Sequence, residues 1–264
     1  MYLPPDFDKA IAIEAANLLQ QSYDQYSYFE SRRSWLLQGK YDAPVLLTAK
    51  PSGILQGALE HVEQFGFVTR NKDTGVVFVV YRGTQSPGDW MSNIVLPQVL
   101  FKDWGMVEQG FSGLYWQTYA DMQKGVFQYP REAKVVVTGH SLGGGLSTLA
   151  AADLAANGRD IHLYNFASPR TCDDKFAAIF NGNPHIKAMW RIVNTEDIVT
   201  TLPLATSKVS NGFESIGLLK PVLLLLNKFD YTHVGRAVTF TTQKHTIVDN
   251  HKMDTYLEAL TQQS

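Results

Sequence analysis

Val135-Val136-Val137-Thr138-Gly139-His140-Ser141-Leu142-Gly143-Gly144 carries the reading of this chain. A β-branched run ends in a glycine, a serine follows two residues later, and an Ala/Leu-rich stretch runs from Leu146 to Ala156. The first part has the composition of a strand and the last that of a helix, so the serine falls on the turn between them. A turn that sharp admits only very small residues two positions before and after the serine, which accounts for Gly139 and Gly143. It turns the hydroxyl away from the sheet and sets it at a helix N-terminus, where the macrodipole favours developing negative charge. Those are the requirements of a serine nucleophile.

A serine hydroxyl is a weak nucleophile at neutral pH. It needs a histidine to take its proton and a carboxylate to fix the imidazole tautomer. In α/β-hydrolases, which use this elbow, the order along the chain is Ser, Asp/Glu, His. The acid candidate is Asp197 in Arg191-Ile192-Val193-Asn194-Thr195-Glu196-Asp197-Ile198-Val199, after an apolar strand and before Pro203. Glu196 competes, but Ile198 and Val199 predict that the chain turns inward at Asp197. Among the histidines, His185 precedes the acid and is out of order. His233 lies in the strand-like stretch Tyr231 to Gly235 and reads as a hydrogen-bonded structural residue. His245 follows the strand Ala237 to Thr242, in a segment that reads as extended to Val248. His251 falls in the loop Asp249-Asn250-His251, just before a terminal helix, and is the preferred base, with His233 and His245 as alternatives. His140 points the wrong way off the turn. The oxyanion hole calls for two backbone donors: the N–H of Leu142, and one from a loop after an early strand, where Val79-Val80-Tyr81-Arg82-Gly83-Thr84 offers Thr84.

Composition narrows the rest. The chain has 264 residues, 45 % of them hydrophobic and 18 % charged, with a formal net charge of −2. That charge gives no electrostatic reason to expect nucleic acid as a partner. Cys172 is the single cysteine, so no intrachain disulfide forms, and it reads as a small buried hydrophobe. There is no HExxH and the histidines are scattered, so neither metal nor cofactor is expected. The N-terminus shows no signal peptide, and the apolar segment Ile216 to Leu226 is interrupted by Lys220 and Pro221, far short of the roughly 20 residues of a spanning helix. The reading is a soluble protein with no transmembrane segment, cytoplasmic or exported by a leaderless or removed-leader route. The oligomeric state stays open.

Along the chain, Asp8 to Tyr23 predicts an amphipathic helix capped by Asp6 or Asp8. Phe65 to Thr69 and Gly75 to Tyr81 predict a hairpin about Asn71-Lys72-Asp73-Thr74. Gly110 to Lys124 predicts a helix, Lys134 to Thr138 the central strand, and His162 to Ala167 and Trp190 to Asn194 later strands. Thr232 to Thr241 suggests one or two more, and Asp249 to Gln263 a closing helix. Strands alternating with helices predict an α/β fold with a mostly parallel central sheet and antiparallel edge strands. With no repeat or linker in view, residues 1–264 read as one domain.

These motifs together resemble the fungal-type, or class 3, triacylglycerol lipases of the α/β-hydrolase fold. The resemblance runs from the first helix to His251. Its motifs are Tyr81-Arg82-Gly83-Thr84, Gly110-Phe111, Gly139 to Gly144, Ala167-Ser168-Pro169-Arg170, Asn194 to Val199 with Leu202-Pro203, Tyr231 to Gly235, and His251. It implies Ser141 as nucleophile, Asp197 as acid, His251 as base, Thr84 and Leu142 as oxyanion donors, His233 and Arg170 as non-catalytic, and a lipid ester substrate met at an oil–water interface. It also implies a lid after Thr84, hinged at Gln85 to Gly88, on which Trp90, Met91, Ile94 and Val95 would share an apolar helix face against Asp89, Ser92 and Asn93. Two features depart from the family. Its secreted members often carry disulfides, which weighs against an extracellular life here, and the connection from Asp197 to His233 is long and apolar. The reaction implied is carboxylester hydrolysis, triacylglycerols first, with phospholipase A1 or feruloyl esterase activity as alternatives. A non-enzymatic lipid-surface protein is the rival from another class.

Overall fold

The computed structural model describes residues 1–37, 39–50, 62–84, 97–203 and 230–262. Its strands are β1 (Val45–Ala49), β2 (Glu63–Arg70), β3 (Val77–Tyr81), β4 (Gln98–Phe101), β5 (Gly105–Glu108), β6 (Val135–His140), β7 (Ile161–Phe166), β8 (Ile186–Asn194) and β9 (Arg236–Phe240). Seven of these form one sheet in the order β1-β2-β3-β6-β7-β8-β9, while β4 and β5 pair separately. The pairs β1–β2 and β2–β3 are antiparallel; every later pair in the large sheet is parallel. All six residues of β6 are buried. A central parallel strand is covered on both faces, so it reads Val-Val-Val instead of alternating with polar residues.

The helices are α1 (Lys9–Glu30), α2 (Gln109–Phe127), α3 (Leu142–Ala156), α4 (Asp174–Gly182), α5 (Ile247–His251) and α6 (Met253–Thr261). The central strands β3, β6 and β7 each contribute to two cores by their pleat. Phe78, Val80 and Val136 pack with Ala12, Ala15 and Leu19 of α1 and Tyr256 and Leu260 of α6. Val77, Val79, Val135 and Val137 pack on the other face with Phe111 and Met122 of α2, Leu146 and Leu149 of α3, and Phe176 of α4.

The structure sharpens one of these readings and shifts two. Asp8 caps α1 as expected, accepting from the Ile11 N–H at 3.0 Å, but the helix runs past Tyr23 to Glu30, with Gln25 still buried. The stretch Thr232 to Thr241 yields one strand, β9, with Thr232 making an isolated bridge to Cys172. The closing helix is broken: Lys252 is extended (φ −61°, ψ 142°) between α5 and α6. His251 is therefore the last residue of a short helix and not part of a loop, and the segment before it, expected to be extended, is an N-cap in which Thr246 accepts from the Asp249 N–H at 3.0 Å.

Candidate active site

Ser141 takes φ 58° and ψ −128°, a left-handed conformation costly for a residue with a Cβ, between the end of β6 and the start of α3. The turn holds because nothing larger than glycine fits beside it. A Cβ on Gly139 would lie 1.9 Å from the Gly143 carbonyl oxygen, and one on Gly143 would lie 2.2 Å from the Tyr81 oxygen. Behind the turn, Asn165 Nδ2 donates to the Gly144 carbonyl at 3.0 Å, and Ser147 donates to Asn165 Oδ1 at 2.6 Å. Ser141 itself is fully buried.

Asp197 follows β8 and caps the 3₁₀ turn Ile198–Thr201, with Oδ1 accepting from the Val199 N–H at 3.0 Å. Its Oδ2 accepts from His251 Nδ1 at 2.8 Å and from the Tyr256 hydroxyl at 2.7 Å. The chain does turn inward here: Glu196 is exposed and Asp197 buried. A carboxylate only accepts, so Nδ1 of His251 carries a proton, and in the neutral imidazole Nε2 is the acceptor. Asn250 Nδ2 donates to the Glu196 carbonyl at 3.1 Å, and Asn194 Nδ2 to the Asn250 carbonyl at 3.1 Å. These bonds tie the loop that carries Asp197 to the helix that carries His251.

No hydrogen bond joins Ser141 Oγ to His251 Nε2. Both atoms are buried, and neither has a partner among the described residues. The structure thus assembles the Asp197–His251 pair and the elbow, with the last bond unmade. Thr84 lines a cavity of about 260 Å³ together with Tyr23, His140 and His251. Leu142 occupies the first helical position of α3, where a backbone N–H has no intrahelical partner. Trp90, Met91, Ile94 and Val95 lie outside the described residues, as do the hinge before them and the apolar segment from Ile216 to Leu226.

The competing histidines are accounted for elsewhere. His233 Nε2 bonds the Thr200 carbonyl at 2.9 Å, and burial, followed by the charge of Arg191, pushes its pKa down to about 3. His245 is exposed, and His185 pairs with Asp160 at 2.9 Å. Burial raises the Cys172 thiol, which suits a packed residue. Arg170 braces the turn after Asp197, donating to the carbonyls of Thr201 and, at 2.7 Å, Pro203. Among the described residues no cluster of three His, Cys, Asp or Glu is set to hold a metal, and no helix is long and apolar enough to cross a membrane.

Sequence reasoning missed Tyr256. Its hydroxyl accepts from the Asn194 N–H at 3.2 Å while donating to Asp197. Burial, then the Asp197 charge, raises its pKa, so it remains a donor. In the sequence it is one aromatic among Met253, Leu257 and Leu260 at helical spacing, which marks a core residue and nothing more.

Residues 78–207 match the family model described as lipase (class 3). A lipase from Rhizomucor miehei is 32 % identical over 151 residues, which cover 52 % of this chain and 40 % of that protein. Phospholipase A1-II 3 from Oryza sativa subsp. indica is 28 % identical over 170 residues, covering 51 % of this chain and 40 % of its own length. The chain thus spans less than half the length of these two relatives. In three dimensions it is similar to a mono- and diacylglycerol lipase from Aspergillus oryzae, with a TM-score of 0.63 and 20 % identity over 94 % of this chain and 85 % of the other. A lipase from Rhizopus microsporus var. chinensis gives 0.62 and 22 % over 88 % and 75 %. These likenesses establish an α/β-hydrolase fold.

Proposed function

We propose, on the premise that the chain belongs to the class 3 lipase family, that it is a serine carboxylester hydrolase acting on acylglycerols. The observation that carries the reading is the buried Asp197–His251 bond at 2.8 Å, which leaves Nε2 open while the strained elbow holds Ser141. In this reading His251 Nε2 takes the Ser141 proton as Oγ attacks the ester carbonyl carbon and the carbonyl π pair moves onto oxygen. The N–H groups of Thr84 and Leu142 hold that oxyanion. Collapse breaks the bond to the alcohol oxygen, which leaves with the proton from His251, and water then adds to the acyl-enzyme by the same route to free the acid and Ser141. The Ser141–His251 bond is one that forms with substrate, as catalytic hydrogen bonds often do.

Exposed Ile198, Ile247 and Val248 follow Asp197 and precede His251. Such an apolar rim suits an ester presented at a water–lipid interface. The likeness to a phospholipase A1 favours a phospholipid as second substrate class. The test is hydrolysis of p-nitrophenyl esters, emulsified triacylglycerol and phosphatidylcholine by the wild type and Ser141→Ala. Turnover should fall on the order of 10⁶-fold with the circular dichroism unchanged. An active Ser141→Ala protein overturns the mechanism, and phosphatidylcholine cleaved faster than triacylglycerol overturns the substrate.

A further inference from the structure

One run of hydrogen bonds crosses the molecule from α1 to α5. The Gly83 N–H donates to Tyr23 Oη at 2.9 Å, Tyr23 Oη lies 2.7 Å from His140 Nδ1, and His140 Nε2 lies 2.8 Å from the His251 carbonyl oxygen. Chemistry fixes the direction of every proton. A carbonyl only accepts, so His140 carries its proton on Nε2. Burial holds the His140 imidazole neutral, well below its usual pKa, so Nδ1 is an acceptor. Tyr23, whose pKa burial pushes up to about 12, must then donate to it, which leaves its oxygen to accept from Gly83. Each group has one role, and none is left over.

Both ends of the run matter. Gly83 is clamped at both of its polar groups, since Arg82 Nη1 donates to its carbonyl at 2.7 Å. Arg82 is itself immobilised by Glu63 at 3.1 Å, by the Gln64 carbonyl at 2.6 Å and by the Tyr26 ring 3.7 Å away. The Gly83 carbonyl and the Thr84 N–H belong to one planar trans peptide and point opposite ways, so fixing the first aims the second. A Cβ on Gly83 would sit 2.6 Å from Tyr23 Oη and 2.8 Å from Ser141 Cβ, so the loop lies directly against the nucleophile. At the other end, the break at Lys252 is what frees the acceptor. In a continuous helix the His251 carbonyl would bond the N–H four residues on, but the Thr255 N–H goes instead to the Lys252 carbonyl at 3.0 Å.

We infer that Tyr23 and His140 are positioning residues that hold the Gly83–Thr84 peptide and the His251 main chain in fixed register about Ser141. The inference rests on reading Thr84 as an oxyanion donor and His251 as the base. Neither Tyr23 nor His140 touches substrate in this scheme; both act through the geometry of those two groups.

The test uses Tyr23→Phe, His140→Phe and the double variant on a soluble p-nitrophenyl ester, with sites counted by fluorophosphonate labelling and Ser141→Ala as control. Tyr23→Phe should lower kcat about 10- to 100-fold with KM within about twofold. Ki for an alkylboronic acid, whose tetrahedral adduct fills the oxyanion hole, should rise by a similar factor. The double variant should be no worse than the weaker single by more than about threefold, because one chain is cut twice. Nitrogen-15 NMR of the unaltered protein should report His140 as the Nε2–H tautomer. An unchanged kcat, a loss confined to KM or to thermal stability, an unchanged boronate Ki, or the Nδ1–H tautomer each overturns the positioning role. An inactive wild type or an active Ser141→Ala protein would instead sink the hydrolase reading beneath it.

Discussion

Replacing Tyr256 by Phe removes one oxygen atom and tests how the Asp197 carboxylate is held. In the wild type the Asp197 carboxylate accepts three hydrogen bonds: from the Val199 N–H, from His251 Nδ1 and from the Tyr256 hydroxyl at 2.7 Å. Hydrogen bonds to a charged group contribute about 1.5–3 kcal/mol each. The same hydroxyl is the acceptor for the Asn194 N–H, and Asn194 is fully buried. Leaving such a donor unpaired costs about 1–3 kcal/mol, here near the low end because the bond is 3.2 Å long. The ring stays, so no cavity adds to the loss. The sum is about 2.5–4 kcal/mol, a large part of a typical stability of about 5–15 kcal/mol. Guanidinium unfolding followed by tryptophan fluorescence reads it directly. Catalysis should respond differently. Asp197 keeps its charge and its bond to His251, so kcat of the folded variant should stay within about tenfold, whereas Asp197→Asn, which presents the wrong partner to Nδ1, typically costs about 10⁴. A Tyr256→Phe protein that loses under 1 kcal/mol, or that keeps its stability while losing activity on the Asp197→Asn scale, refutes this account.

Three further outcomes follow from the same structure. Gly143→Ala should fail to give soluble folded protein, or lose several kcal/mol, because the new Cβ meets the Tyr81 and Arg82 carbonyl oxygens at 2.2 and 2.6 Å; normal expression and melting would contradict the tight elbow. Burial of Glu108 lifts its pKa to about 7 from a reference of 4.5 against the bonds it accepts at the start of α2. Its protonated form is the one the fold prefers, so its contribution is complete below pH 4.5 and lost as pH rises to 7. Glu108→Gln should therefore gain up to about 3 kcal/mol on the wild type between those limits, and parallel stability curves would exclude it. His233, held neutral down to about pH 3, is a base with a depressed pKa, so its contribution is present above about pH 6.5 and lost as pH falls. His233→Gln should flatten the stability–pH slope between pH 4 and 6 by about 1.4 kcal/mol per unit, and an unaltered slope would show that the imidazole is not neutral there.

What the sequence discloses divides by the range of the force involved. The elbow at Ser141 is legible because its constraint is local: glycines two positions away are demanded by carbonyls of the same turn and of the neighbouring strand. Asp197 is legible because a polar residue between an apolar strand and an inward-turning Ile-Val pair has few other places to go. The lid face from Trp90 to Val95 was read at the same level but lies outside the described residues. The roles of Tyr23 and Tyr256 are not legible for a different reason. A tyrosine at helical spacing is a core residue by default, and only the fold reveals that its hydroxyl meets His140 or Asp197, with 117 and 59 positions between the partners. The break at Lys252 is the clearest instance. No proline or glycine marks it, and the spacing of apolar residues predicts one helix from Asp249 to Gln263. Lys252 gives up helical geometry there, and the His251 carbonyl so released accepts a hydrogen bond from Nε2–H of His140, the residue before the elbow serine. The contact that takes up this carbonyl lies 111 positions away, and a periodicity argument, which sees only neighbours three and four residues apart, has no means of registering it.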